Sequence, residues 1–261
     1  MKEPTMNVTE RYSNFLLDLK NSSIDFSQAE AFRLDSGTTI ISAFYDNGGK
    51  IILAGDRKAA YLSRSGDGVS ALETLSARKI YAIDAWNCFG GAGMGTFIFR
   101  LGQELPFIAK RFEQDRNYPL SSYGVAGIMR QFSSSISMRV GAGACQFVLC
   151  GIKPHPVIFN ISAMHVQQES KYCIIGSGSA AARPIFGHSW RANMSEDEII
   201  NLTLNSLMQT MRNDVGSGWD FDNAPMIMLL RDKLTELPEK EVRERLKNLS
   251  QKFQENRGGE E

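Results

Sequence analysis

The threonine pair Thr38-Thr39 stands directly after Gly37, at the head of an abrupt run of strand-forming residues. A threonine hydroxyl is a poor nucleophile at neutral pH and needs an adjacent base. If Thr38 became the N-terminal residue, its own α-amine could serve, because the unperturbed pKa of that group is roughly 7.7–8.0. A lysine, with a pKa of roughly 10.4, would instead stay protonated. Taken alone, Thr38 is more simply explained as the start of a β-strand, where threonine is common.

Five further segments combine charged, hydroxyl or glycine residues behind this threonine. Each has an ordinary explanation: Asp56 and Lys79 could form a common ion pair, and Asp214 could occupy a helix end or a turn. In chain order the segments are Ala54-Gly55-Asp56-Arg57, Arg78-Lys79-Ile80-Tyr81, Gly91-Ala92-Gly93, Gly176-Ser177-Gly178-Ser179 and Asp214-Val215-Gly216-Ser217-Gly218. Their joint occurrence in this order carries more weight than any one of them.

Taken together with Thr38-Thr39-Ile40, these segments resemble the β subunits of the 20S proteasome, a family of N-terminal threonine peptidases. The resemblance covers nearly all of residues 38–230. It implies an α+β fold, the four-layer αββα sandwich of N-terminal-nucleophile hydrolases. It also divides the chain into a propeptide at 1–37 removed by self-cleavage, a catalytic domain at 38–230, and a charged C-terminal helix and tail at 231–261.

The resemblance implies a nucleophile and the charges that activate it. Thr38 would first attack the carbonyl of Gly37, shift the chain to an ester, and release residues 1–37 with water. Lys79, with Asp56 as its counter-ion, would lower the proton affinity of the Thr38 amine and hydroxyl by its positive charge. The reaction would be amide hydrolysis through an acyl-enzyme, with neither a metal nor an organic cofactor.

The resemblance also implies supporting groups. Ser177 and Asp214 would complete the network around the Thr38 amine, with Ser217 supporting it. The backbone N–H of Gly93 would stabilise the oxyanion, and a glycine suits a place that substrate must approach closely. The substrate-binding positions would be Ala59, Ala60, Gly91, Gly93 and Gly95.

Two features depart from the family pattern. The stretch between Asp56 and Lys79 is longer than usual, with an apparent insertion around residues 65–75. Ala60 stands where the family commonly has a threonine or serine that lines the substrate channel, which bears on peptide selectivity more than on activity. Gly91 would lie near the base of the first specificity pocket, so its missing side chain suggests room for a large apolar residue.

The family implies a seven-membered ring with other β subunits, proteasome α subunits outside it, and an ATP-driven unfoldase that feeds in unfolded proteins. The leader segment Tyr12-Ser13-Asn14-Phe15-Leu16 resembles bacterial, actinobacterial-type propeptides, for which some substrates would carry a small protein tag; an archaeal origin stays open. The alternatives are the six-membered-ring threonine peptidase of bacteria and a non-catalytic structural ring subunit.

Composition excludes several other classes. Lysine and arginine total 29, and aspartate and glutamate total 29, so no basic excess indicates a nucleic-acid or membrane surface. No stretch approaches the roughly 20 apolar residues of a transmembrane helix. The four cysteines form no CxxC pair, and three lie in apolar runs typical of buried residues. We therefore expect a cytoplasmic, reduced protein without a structural metal.

The elements that must position the site follow from periodicity. Asn47-Gly48 is a hairpin signal, Pro106 should kink or divide its helix, and residues 66–76 read as a loop. Helices are predicted at 96–115, 121–139, about 195–212 and beyond 231, the third opened by a capping box from Ser195 to Glu198. Strands are predicted at 38–45, 50–56, 79–83, 86–90, 146–152, 157–162, 172–175 and 225–230.

Overall fold

The computed structural model of the protein describes residues 32–33, 38–65, 68–141, 143, 145–214, 217–219 and 223–258. The strands are β1 (Phe32–Arg33), β2 (Ile40–Tyr45), β3 (Lys50–Gly55), β4 (Lys58–Ser65), β5 (Gly68–Ser76), β6 (Ile80–Ala82), β7 (Asn87–Gly93), β8 (Cys145–Gly151), β9 (Val157–Ile161), β10 (Val166–Glu169), β11 (Tyr172–Ile175), β12 (Met226–Leu230) and β13 (Leu234–Glu236). The helices are α1 (Gly95–Arg116), α2 (Ser122–Val140), α3 (Ser179–Ser189), α4 (Glu196–Asn213) and α5 (Glu239–Gly258).

Two five-stranded antiparallel sheets form the centre of the molecule. The first has the strand order β11-β2-β3-β12-β13, and the second has the order β10-β9-β8-β7-β6. Side chains alternate between the two faces of a strand. In β2, Ile40 therefore packs between the two sheets, whereas Ile41 packs against the helices on the opposite face. Every residue of β2 is buried, which is why the whole run is apolar or uncharged.

Three apolar clusters separate four layers. Helices α1 and α2 cover the outer face of the second sheet, with Leu101 and Phe132 in the cluster they share with it. Helices α3, α4 and α5 cover the outer face of the first sheet, where Phe186, Leu204 and Val242 are buried. The third cluster lies between the sheets. This arrangement confirms the predicted α+β fold with its αββα order of layers.

Helices α1, α2 and α4 begin and end within one residue of their predicted positions. Ser195 and Glu198 form the predicted capping box at the start of α4, each side chain accepting a backbone N–H. Ser121 caps α2 by accepting the N–H of Gly124 at 3.2 Å. The prediction for Pro106 is wrong in one respect, because α1 runs undivided from Gly95 to Arg116. Its apolar face is buried against the second sheet, and that packing outweighs the loss of one backbone hydrogen bond.

The prediction of a loop over residues 66–76 is also wrong for residues 68–76, whereas residues 66 and 67 lie outside the described residues. Residues 68–76 form β5, which pairs with β4 in an antiparallel hairpin that bulges between Ser63 and Arg64. On the other side of β4, the backbone of Phe32 pairs with Ser63. The longer stretch between Asp56 and Lys79 is therefore an extended hairpin, and its interstrand hydrogen bonds outweigh weak local strand propensity.

Close contact between the two sheets fixes the start of β2. A Cβ atom added to Gly55 would lie 2.6 Å from the side chain of Ile40, and one added to Gly90 would lie 2.7 Å from it. A side chain at either position would therefore force the Ile40 side chain to move from its place between the sheets. Since Ile40 is two residues from Thr38, this packing holds the candidate nucleophile at a defined end of the sandwich.

The cysteines behave as the buried apolar residues that the sequence predicts. Cys88, Cys145, Cys150 and Cys173 are all buried with free thiols. Burial raises the pKa of the Cys145 thiol to about 12 and also raises that of Cys150, so both stay uncharged at neutral pH. Within the described ranges, no helix combines the length and the apolar character needed to cross a bilayer.

Candidate active site

Thr38 lies just before β2 and is 1% exposed in the uncleaved chain. Its backbone N–H donates to Ser177 Oγ at 3.0 Å, and its carbonyl oxygen accepts the N–H of Gly178 at 3.2 Å. Within the described part of the chain, the Thr38 hydroxyl oxygen is buried without a hydrogen-bond partner. The backbone of Thr38 is thus held firmly on both sides, while its hydroxyl is uncommitted.

Two serine hydroxyls converge on one carboxylate behind the Thr38 nitrogen. Ser177 Oγ and Ser217 Oγ each donate to Asp214 Oδ2 at 2.6 Å. Because Ser177 also accepts the N–H of Thr38, a continuous hydrogen-bonded path runs from that nitrogen to the Asp214 carboxylate. Asp214 caps the C-terminal end of α4, and Ser177 lies in the turn before α3. The packing of these two helices on the first sheet therefore brings the path together.

A buried ion pair lies on the other side of Thr39. Lys79 Nζ donates to Asp56 Oδ1 at 2.9 Å, and the two side chains are 5% and 1% exposed. The carboxylate also accepts the N–H of Thr39 at 3.0 Å and that of Gly218 at 2.8 Å. Lys79 Nζ donates in addition to the carbonyl oxygen of Lys58. Such a fully hydrogen-bonded pair is the arrangement that buried charges require.

Burial perturbs both members of this pair. It raises the pKa of the Asp56 carboxyl and lowers the pKa of the Lys79 ammonium, because each charged form loses its water. Their mutual attraction opposes both shifts, and the negative charge of Asp214 also favours the charged form of Lys79. The site therefore keeps a cation in a poorly solvated place where its field is weakly screened.

Thr39 and Gly218 belong to motifs of the sequence, but the sequence predicts no function in the site for either residue. Thr39 Oγ1 lies 2.7 Å from Ser217 Oγ, and the Thr39 N–H binds Asp56. The Gly218 N–H is the second backbone donor to Asp56. The repeated hydroxyl of Thr38-Thr39 was the available signal for the first residue. A backbone donor leaves no signature in a sequence.

Close backbone approach explains the two glycines that flank Ser177. Gly176 has a φ of +96°, and a Cβ atom there would lie 2.1 Å from the carbonyl oxygen of Thr38. A Cβ atom on Gly178 would lie 2.1 Å from Thr39 Oγ1. Both positions must stay free of a side chain for the start of β2 to sit against this turn.

The predicted substrate-binding residues occupy two places in the fold. Gly91, Gly93 and Gly95 lie at the end of β7 and the beginning of α1, and the Gly91 N–H donates to the carbonyl oxygen of Lys79 at 3.0 Å. Ala59 and Ala60 lie on the backbone of β4, but their side chains fall outside the described residues, as does all of Gly37. The glycine-rich segment is therefore hydrogen-bonded to the backbone of Lys79, whose side chain belongs to the ion pair.

This geometry suits nucleophilic acyl transfer. A weak nucleophile can be activated by a nitrogen that is hydrogen-bonded through a serine to a carboxylate and by a nearby cation. Here the Thr38 hydroxyl is buried, and Thr38 lies beside both kinds of group. In the uncleaved chain the Thr38 nitrogen is an amide, so it could act as a base only if the bond before it were broken.

Comparison with known proteins agrees with the fold and the motifs. The sequence model of the family described as "Proteasome subunit" matches residues 34–224. The chain is 23% identical to a proteasome subunit beta of Methanopyrus kandleri, over 82% of this chain and 97% of that protein. It is 24% identical to a proteasome subunit beta of Streptomyces griseus (70% and 63% covered) and 24% identical to a proteasome subunit beta type-2 of Saccharomyces cerevisiae (72% and 67% covered). Since different organisms match equally well, the actinobacterial type stays a prediction. The family model covers most of the chain, and the protein therefore belongs to the proteasome subunit family.

Proposed function

We propose that this chain is the catalytic β subunit of a 20S proteasome core particle, a threonine-type endopeptidase that acts on unfolded proteins. The observation that supports it best is the hydrogen-bonded path from the Thr38 nitrogen through Ser177 to Asp214. A structural threonine at the start of a strand has no need for such a path. The buried pair of Asp56 and Lys79, one residue away, supplies the charge that a weak nucleophile needs.

The chain is proposed to mature by cleaving itself between Gly37 and Thr38. Thr38 Oγ1 attacks the carbonyl carbon of Gly37, and the C–N bond breaks as the proton lost by the hydroxyl passes to the nitrogen, which becomes the α-amine. Residues 1–37 then remain as an ester on Oγ1 until water hydrolyses it. Since Thr38 is buried in the uncleaved chain, the precursor offers little access to other substrates before this step.

The mature enzyme would use the new amine as its general base. The amine takes the hydroxyl proton as Oγ1 attacks the peptide carbonyl, and it returns the proton to the leaving amine. Ser177 and Asp214 hold the amine in position, and Ser217 donates to the same Asp214 oxygen as Ser177. The N–H of Gly93 is the proposed donor to the oxyanion, and Lys79 favours the deprotonated hydroxyl by its charge. Water then hydrolyses the acyl-enzyme.

The proposed setting is a cytoplasmic ring of seven β subunits flanked by α subunits and served by an ATP-dependent unfoldase. The family membership and the relatives named proteasome subunit beta support this assembly. The proposed cleavage separates a propeptide at 1–37 from a proposed catalytic domain at 38–230, and the charged helix and tail at 231–261 are proposed to follow that domain.

Intact mass and N-terminal sequencing of the protein, co-expressed with its α-type partner, test the proposal. The wild-type chain should begin at Thr38 and hydrolyse an extended fluorogenic peptide, whereas Thr38→Ala should keep residues 1–37 and be inactive. Thr235→Ala is the matched control, since Thr235 is an exposed threonine of β13. A wild-type chain that keeps residues 1–37 in fully assembled rings would identify a structural subunit and overturn the proposal.

A further inference from the structure

Thr39 lies between the two carboxylates and forms hydrogen bonds to both networks. Its backbone N–H donates to Asp56 Oδ1 at 3.0 Å, and its hydroxyl lies 2.7 Å from Ser217 Oγ. Its backbone carbonyl also accepts the Asp56 N–H at 3.2 Å. The residue is fully buried, so no water competes for these contacts.

The direction of the hydroxyl contact follows from proton counting. Ser217 has one hydroxyl hydrogen and donates it to Asp214 Oδ2 at 2.6 Å. Ser217 Oγ must therefore accept in its contact with Thr39, and Thr39 Oγ1 must donate. The result is a directed chain from Thr39 through Ser217 to Asp214, in which each bond polarises the next.

Steric packing leaves the Thr39 hydroxyl little freedom to leave this chain. The Gly178 backbone approaches so closely that a Cβ atom there would lie 2.1 Å from Thr39 Oγ1 and 2.8 Å from Ser217 Oγ. The Thr39 hydroxyl is therefore buried, confined and hydrogen-bonded to a serine of the candidate site, which a threonine with only a strand-forming role would not require.

We infer that Thr39 is a positioning residue of the candidate active site, whose hydroxyl holds Ser217 and through it the Asp214 carboxylate behind the Thr38 nitrogen. The inference rests on the proposed function. Its reason is geometric: Thr39 follows the nucleophile directly, so a side chain anchored to Ser217 and an N–H anchored to Asp56 fix the orientation of Thr38 itself.

Two substitutions separate the hydroxyl from packing. Thr39→Val keeps the shape and removes the donor, whereas Thr39→Ser keeps the donor and removes a methyl group; both keep the N–H bond to Asp56. In the assembled, processed enzyme we expect Thr39→Val to lower kcat about tenfold, the rate equivalent of one lost hydrogen bond, with KM little changed. Thr39→Ser should restore most of that kcat.

Two controls complete the experiment. Thr203→Val makes the same chemical change at a buried threonine of α4 outside the candidate site, and it should leave kcat unchanged. In a Ser217→Ala background, Thr39→Val should cost no further activity, because the path through Ser217 is already broken.

The outcomes distinguish the inference from the proposed function. If the wild-type protein neither processes itself nor cleaves peptides, the proposed function fails. If it does both and Thr39→Val matches it in kcat, or Thr39→Ser is the more damaged of the two, the role of the hydroxyl is refuted while the peptidase remains. Thermal denaturation of each variant shows that a rate change is not a loss of folded protein.

Discussion

Replacing Lys79 by methionine should destabilise the protein strongly. Lys79 Nζ donates to Asp56 at 2.9 Å in a place where both side chains are almost fully buried. Methionine would keep the apolar stem, and among the described residues the carboxylate would keep the N–H groups of Thr39 and Gly218 as its donors. Removing one partner of a buried pair costs about 3 to 5 kcal/mol. For a domain of this size, that corresponds to a fall in Tm of about 6 to 20 °C.

The assay is thermal and urea denaturation in a Thr38→Ala background, so that self-cleavage does not alter the chain during the measurement. Lys110→Met is the matched control, because Lys110 is exposed on α1 and its loss should change stability by no more than about 0.5 kcal/mol. If Lys79→Met costs less than about 1 kcal/mol, the pair is not the buried, mutually dependent one described here.

The double variant Lys79→Met, Asp56→Asn tests whether the unpaired charge is the cause. It contains no buried carboxylate at the site, so it should recover more than about 1 kcal/mol relative to Lys79→Met alone. Recovery should be incomplete, because an asparagine side chain offers one acceptor oxygen to the two N–H groups of Thr39 and Gly218. If the double variant is no more stable than Lys79→Met, the destabilisation by Lys79→Met comes from altered packing and not from the unpaired charge.

The pH dependence of stability provides an independent test of whether the unpaired Asp56 charge causes the loss. Burial raises the pKa of Asp56, and the Lys79→Met variant lacks the ammonium group that opposes that shift in the wild-type protein. A carboxyl whose pKa is raised in the folded state stabilises the protein below its unfolded pKa, about 3.9, and loses this contribution as pH rises. The stability gap between Lys79→Met and the double variant should therefore be small near pH 4 and widen towards neutral pH. A gap that narrows as pH rises contradicts this reasoning.

Three further changes have defined outcomes. Hydrogen bonds from Arg231 lower the pKa of Glu196. Glu196→Gln should therefore lower the free energy of unfolding, measured by urea denaturation at pH 7, by about 1 kcal/mol. This loss should vanish as pH falls from about 4.3, the unfolded-state pKa, through the folded-state pKa. Thr203→Val removes a buried hydroxyl that bonds to none of the described residues, so it should raise the free energy of unfolding by about 1 kcal/mol. Gly176→Ala should lose at least about 1 to 2 kcal/mol and block chain processing, measured by calorimetry and intact mass, because its Cβ atom would collide with the carbonyl of Thr38.

The sequence predicts best those elements whose local signals agree with their packing. The strand at Tyr172–Ile175 lies where β-branched and aromatic residues place it, and the capping box of α4 fixes that helix start at Ser195. In both cases side-chain periodicity and end signals indicate the same element. When local signals agree in this way, the boundary of a strand or helix can be predicted without knowledge of the tertiary contacts.

Other elements are decided by tertiary contacts. Helix α3 was not predicted, because Pro184 and Gly187 both weaken a helix. Ala182 and Phe186, four residues apart, are nevertheless fully buried against the first sheet. The local sequence of β5 predicts a loop for a related reason, since its pairing with β4 is a contact between residues outside a short sequence window.

The site shows the same division. Side chains such as Asp56 and Lys79 were named through the resemblance of their motifs, because those motifs consist of side chains. The sequence does not predict two hydrogen bonds of the site that involve the backbone. In one, the Gly218 N–H donates to Asp56, and in the other, Lys79 donates to the carbonyl oxygen of Lys58. Backbone groups are the same in nearly every residue, so only the path of the folded chain selects which of them take part.

The separation of the site residues along the chain constrains when the site can work. Thr38 and Thr39 are 139 and 178 residues away from their serine partners, Ser177 and Ser217. Their contacts therefore require both β2 and the turns that flank α3 and α4 to be in place. The nucleophile becomes oriented only when nearly the whole sandwich has formed. In the proposed reaction, this coupling restricts cleavage at Thr38 to chains that are already folded, and it prevents an active threonine peptidase from arising on an incomplete scaffold.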